Sequence, residues 1–221
     1  MRVRQRILRG AVGLLATALF VTGLLALYSA SVMKDLKENI VRLHVVADSD
    51  EEAAQTLKLK VRDSVAEYTA ELLKNADTAE ESYRILQANI ESIQKVAKAR
   101  AEAEGCELPV TAQVGAFDFP VKSYGNITLP TGNYNAVRVT IGSGEGQNWW
   151  CVLFPPLCFV DSEATAVSAS GRAQLQENLS DEAYAVIENA PDSGEVQIRF
   201  KVVDFFESVA QKARQTWTNL F

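Results

Sequence analysis

From Trp149 to Phe154 the chain runs WWCVLF without one polar side chain. Successive side chains of an extended segment point to opposite faces, so both faces of this stretch are apolar and both need cover. Pro155-Pro156 follows at once and cannot donate ladder hydrogen bonds, which ends the strand there. Gly144–Phe159 also holds two of the three tryptophans and two of the three cysteines. The stretch reads first as a core strand with its turn, and second as a binding or reactive surface.

Other segments supply partners for it. Ile40–Ala47, IVRLHVVA, is β-branched and partly alternating, with Val41, Leu43 and Val45 on one side and Arg42 and His44 on the other. Asp48-Ser49-Asp50 then opens a helix, Ser49 and Glu52 standing at capping-box spacing. Leu57, Val61, Val65, Tyr68 and Leu72 form its apolar stripe, which leaves Glu51, Glu52, Lys58, Arg62 and Glu67 as a solvated face. A second helix repeats the cap spacing at Asp77 and Glu80, buries Tyr83, Leu86, Ile90, Ile93 and Ala97, and stops at Gly105. The short connection makes the two helices an antiparallel hairpin.

Strands follow at Pro109–Phe119 and Tyr134–Ile141, separated by turn formers over 122–133. Gly142–Gly146, GSGEG, joins the second of these to the tryptophan strand as a hairpin. Small and polar residues dominate 161–194, read as an exposed excursion with a short capped helix from Ser180. Glu195–Val203 alternates as an amphipathic strand, and Asp204 and Glu207 cap a terminal helix. The fold class expected is α+β: a mainly antiparallel sheet, with the helical hairpin and a C-terminal helix packed on one face.

Ahead of this body stands an apolar helix. Gly10–Met33 is free of charge over 24 residues, and Arg2, Arg4, Arg6 and Arg9 precede it. At about 1.5 Å per residue it can cross a hydrocarbon layer of roughly 30 Å. The arginines keep the near end cytoplasmic and place the body, 34–221, outside the cytoplasm as one domain. Ser29-Ala30-Ser31 offers a signal-peptidase site, so 1–33 is either a cleaved signal peptide or a membrane anchor. Without that segment the chain carries 18 basic against 28 acidic side chains, a net −10. Nucleic acid is excluded as a partner by that charge, as is electrostatic binding to an anionic membrane.

A search for chemistry finds no catalytic set, no metal site and no cofactor motif. His44 is the sole histidine and fits the strand pattern as a structural residue. Cys106, Cys151 and Cys158 lack the paired spacing of zinc ligands. In a straight strand Cys151 and Cys158 stand roughly 23 Å apart, so two buried free thiols are favoured. A disulfide between them requires a sharp reversal at Pro155-Pro156. GSGEG lacks the lysine of a phosphate loop and lies between strands.

Taken together, IVRLHVVADSDEEAAQTLKLKVRDSVAEY behind an apolar leader, GQNWWCVLFPPLCF behind YNAVRVTIG, and EVQIRFKVVDFFE resemble the stage II sporulation protein R family of spore-forming bacteria. The resemblance spans most of 38–207 and implies a signalling protein, not an enzyme. Such a protein is exported from the forespore into the septal intermembrane space. There it activates a membrane-embedded aspartic protease of the mother cell, stage II sporulation protein GA, which processes the sigma-E precursor. That role involves no small-molecule substrate. Asp48, Ser49 and Asp50 at the strand–helix junction, and Gln147, Asn148 and Trp149 beyond the glycine run, are the candidate partner contacts; the competing reading is that they cap and pack the fold. The other function classes are an envelope or septal scaffold and a hydrolase pairing His44 with Cys151 or Cys158.

Overall fold

A computed structural model describes residues 2–157 and 169–188. The chain separates into compact units, with the leader Met1–Lys34 in one and the body Asp35–Gln197 forming the other.

The leader lies within α1, an α-helix over Arg2–Asn39. Its apolar side chains stand open: Leu14, Leu15, Leu19, Phe20, Leu24 and Leu27 are all exposed. From Arg9 to Asn39 it is long and apolar enough to cross a membrane and is compatible with a signal peptide or an anchor.

The body is mixed α and β with a sheet dominated by antiparallel pairs. In chain order it holds β1 (Val41–Val46), α2 (Glu52–Leu73), α3 (Ala79–Ala88), α4 (Ile90–Ala103), β2 (Val110–Phe119), β3 (Lys122–Tyr124), β4 (Ile127–Leu129), β5 (Gly132–Ile141), β6 (Asn148–Phe154), α5 (Ala169–Asn178) and α6 (Asp181–Ile187). The main sheet has the order β2-β5-β1-β6, and β3 and β4 form a small hairpin where only turns were expected. The expected β5–β6 hairpin is not formed. Instead β1 lies between them, parallel to β5 and antiparallel to β6. All six residues of β1 are buried, as befits a central strand with a packed layer on each face.

One sheet face carries Val41, Leu43, Val45, Val137, Val139, Cys151 and Leu153, packed with Val61, Val65, Leu86, Ile93 and Ala97 of α2, α3 and α4. The two-helix expectation is corrected in detail: Asn89, at φ −110° and ψ 12°, breaks the second helix into α3 and α4. Its cap also lies one residue later than Asp77. Thr78 Oγ1 accepts from Glu81 N, and Glu81 Oε2 accepts from Asp77 N. Gly105 ends the run as expected, at φ +79°.

The opposite face is aromatic and cationic. Arg42 is fully buried, its Nη2 donating to Tyr124 Oη at 2.6 Å and its guanidinium lying 4.1 Å from the Phe119 ring. His44 stacks on Trp150 at 3.9 Å. Burial pushes the Tyr124 hydroxyl up and Tyr134 up to about 12. The tryptophan strand thus packs on both faces, Trp150 on this one and Trp149 on the helical one.

The part of 161–194 that is described is not an exposed excursion, because Leu175, Leu179, Ala183, Tyr184 and Ile187 of α5, α6 and their connection are buried. Ser180 caps α6 as anticipated, accepting from Ala183 N, and it also donates to Asp35 Oδ2 at 2.6 Å. The strand Glu195–Val203 and the terminal helix lie outside the described residues.

Candidate functional site

Three connections meet beyond the C-terminal end of β1: 47–51 into α2, 142–147 from β5 to β6, and 104–109 from α4 to β2. Because β1 sits between β5 and β6, the glycine run has to pass over the end of β1, and backbone packs on backbone there. Gly146 N donates to Ala47 O at 3.0 Å and Glu145 N to Asp48 O at 3.2 Å. A Cβ on Gly146 would stand 2.2 Å from Ser49 O, so only glycine fits.

Side chains complete the seam. Asp48 Oδ1 accepts from Ser143 N at 2.6 Å, and Ser143 Oγ donates to Asp48 O at 2.9 Å. Asp50 Oδ1 accepts from Gln147 N at 2.7 Å. Ser49 O accepts from Gln55 Nε2 at 2.8 Å. The Ser49–Glu52 capping box is corrected: Glu51 is the N-cap residue of α2 and makes no side-chain cap bond. Asn148 Oδ1 lies 2.7 Å from His44 Nε2, and the Trp149 ring carries the Arg62 guanidinium at 4.3 Å.

The six candidate contacts therefore fall into two sets. The Asp48–Asp50 turn and the Gln147 backbone are brought together, whereas the Asn148 and Trp149 side chains leave on opposite faces of the sheet. Asp48 and Ser49 also open into a groove of about 810 Å³ between the start of α2 and the end of α4. Gln147, Asn148 and Trp149 do not line it.

Sequence reasoning missed Lys58 and Arg62 by placing them on a solvated face. Lys58 is buried, donating from Nζ to Gln147 O at 3.0 Å and to Gln55 Oε1 at 2.5 Å. Desolvation holds its ammonium below the usual lysine range. The signal was present, since Lys58 stands three and seven residues before Val61 and Val65 on the buried stripe. Also missed was Leu108, which with Cys106 reaches the groove from an irregular connection with no periodicity to announce it.

Among the described residues His44 pairs with Asn148 and with no thiol. Burial, then the charges of Arg138 and Arg42, outweigh the Asn148 hydrogen bond and lower its imidazole to about 4. Cys151 is opposite Leu43 in register, so it projects on the other face of the sheet from His44. It is disulfide-bonded, not the free thiol favoured above, while Cys106 is free. Cys158 lies outside the described residues, so its pairing does too. The chain does turn sharply after β6, Leu157 N donating to Val152 O at 3.1 Å. Among the described residues no group of three or more His, Cys, Asp or Glu side chains could hold a metal ion.

An α+β body behind a helix compatible with a signal peptide or anchor, with no catalytic set assembled among the described residues, sets the class. The chain belongs to the Stage II sporulation protein R (spore_II_R) family, whose profile matches residues 37–164, from the end of α1 past β6. It is 38% identical over 126 residues to the Stage II sporulation protein R of Bacillus subtilis (strain 168), covering 57% of this chain and 56% of that protein. The chain thus aligns with a little over half the length of that relative. No solved structure matches it.

Proposed function

We propose that this chain is an exported sporulation signal that activates the membrane-embedded aspartic protease stage II sporulation protein GA of the mother cell, and thereby processing of the sigma-E precursor. The family membership carries this reading. Three features support it. The leader is long and apolar enough for export or anchoring, with arginines only on its near side. The body is acidic, with 18 basic against 28 acidic side chains, which disfavours nucleic acid. The Asp48–Asp50 turn is tied to the glycine run by hydrogen bonds, which preorganises the surface around it.

Activation in this scheme is a shift of population. The body binds the active form of the protease more tightly than the resting form, and the ratio of the two affinities limits the response. Moving the protease from 1:99 to 99:1 takes a preference of about 10⁴-fold. The septal intermembrane space places the two proteins face to face.

The test is co-expression of the full chain with that protease and the sigma-E precursor in a non-sporulating host. Precursor cleavage is expected only with all three present. Cleavage without this chain, or none with it, overturns the proposal.

A further inference from the structure

Among the described residues of the body, Leu108 is the large apolar side chain left exposed, at 43%. It stands at the groove into which Asp48 and Ser49 open, and Leu57 and Ile141 line the same hollow. The volume of about 810 Å³ falls within the range that ligand sites occupy. Charge is uneven around it. Four carboxylates, Asp48, Glu51, Glu52 and Glu104, face one ammonium, Lys60. That ammonium is already paired, Lys60 Nζ lying 2.5 Å from Glu104 Oε2, and Arg100 Nη2 lies 3.1 Å from Glu104 Oε1. The Glu51 and Glu52 carboxylates have no ion-pair partner among the described residues and are exposed.

We infer that this groove takes an extended peptide segment of the membrane partner that carries an apolar side chain beside a lysine or arginine. The apolar group covers Leu108 over Leu57 and Ile141, and the cation meets Glu51 and Glu52. A lipid phosphate is repelled by the same carboxylates. A second copy of the chain offers an equally acidic body. The inference rests on the proposed function for the identity of the partner, and it adds where and by what chemistry that partner docks.

The experiment is the three-component co-expression with full-length variants. Leu108→Asp and the double variant E51K/E52K are expected to lower precursor cleavage at least tenfold at normal protein level and melting temperature. Lys74→Glu, at the far end of α2 from the groove, is the control and is expected to cleave as wild type. In parallel, benzophenone maleimide on Cys106, with Cys106→Ser as the blank, is expected to cross-link a protease segment containing Lys or Arg next to apolar residues. Wild-type cleavage by both folded groove variants overturns the inference. So does a cross-link to a second copy or to an acidic segment, or full activity of the labelled chain with no adduct. If the unmodified chain drives no cleavage, the proposed function itself fails; if it does and the groove variants match it, only the groove assignment falls.

Discussion

Replacing Gly146 by alanine isolates the contact on which the crossing over β1 depends. The added Cβ meets Ser49 O at 2.2 Å, Ser49 C at 2.5 Å and Ser49 Cα at 2.9 Å, all backbone atoms that no rotamer can move aside. Ordinary contact begins at 3.4 Å, so the two connections must part by more than an ångström. Three hydrogen bonds lie in the path of that movement: Gly146 N to Ala47 O, Glu145 N to Asp48 O, and Gln147 N to Asp50 Oδ1. Each contributes about 1 kcal/mol net, and the residual overpacking costs about 1–3 kcal/mol. A loss of about 4–6 kcal/mol follows, or a melting temperature lower by roughly 10–20 °C for a domain of this size. The assay is thermal unfolding of the full chain in detergent, followed by circular dichroism. Gly105→Ala is the internal comparison: at φ +79° with no atom within 4 Å, it bears only the left-handed backbone penalty of about 1–2 kcal/mol. A Gly146→Ala chain that melts within 3 °C of wild type, or above Gly105→Ala, refutes the reasoning.

Two further outcomes test the opposite face of the sheet. His44 titrates near 6.5 when unfolded and about 4 when folded, so below pH 6.5 the unfolded state binds the extra proton. Its contribution is therefore present in full above pH 6.5 and falls away as pH drops towards 4, by on the order of 3 kcal/mol. His44→Gln should flatten that part of the stability–pH curve in denaturant titrations, and an unchanged slope contradicts the assignment. Arg42 is fully buried with Nε and Nη1 unpartnered, while Tyr124 keeps its own bond to Trp150 O at 3.2 Å. Arg42→Met is expected to leave stability within about 1 kcal/mol of wild type or raise it, because burying that charge costs what its single hydrogen bond and ring contacts return. A fall in the urea midpoint equivalent to more than about 3 kcal/mol argues that the guanidinium is stabilising after all.

The sequence by itself determined the elements whose signals are local. A charge-free run of 24 residues behind four arginines marked a helix long enough to cross a membrane. β-branched alternation marked β1, β2 and β5, the apolar run marked β6, and Ser180 announced α6 through hydrogen bonds within three residues. The family, too, was legible from motifs lying mostly inside 37–164. Tertiary structure alone decided the order of the strands. The glycine run reads locally as a hairpin turn, and nothing within it says that β1, some hundred residues earlier, slides between its two strands. In that position both edges of β1 are paired, with β5 and β6, and both faces are covered, by the helices on one side and the Phe119, Tyr124 and Trp150 rings on the other. From it follow the seam around Asp48 and Asp50 and the inward turn of Lys58 to the Gln147 carbonyl. The groove at Leu108 depends equally on contacts between residues far apart in the chain, and a period or a spacing cannot encode those.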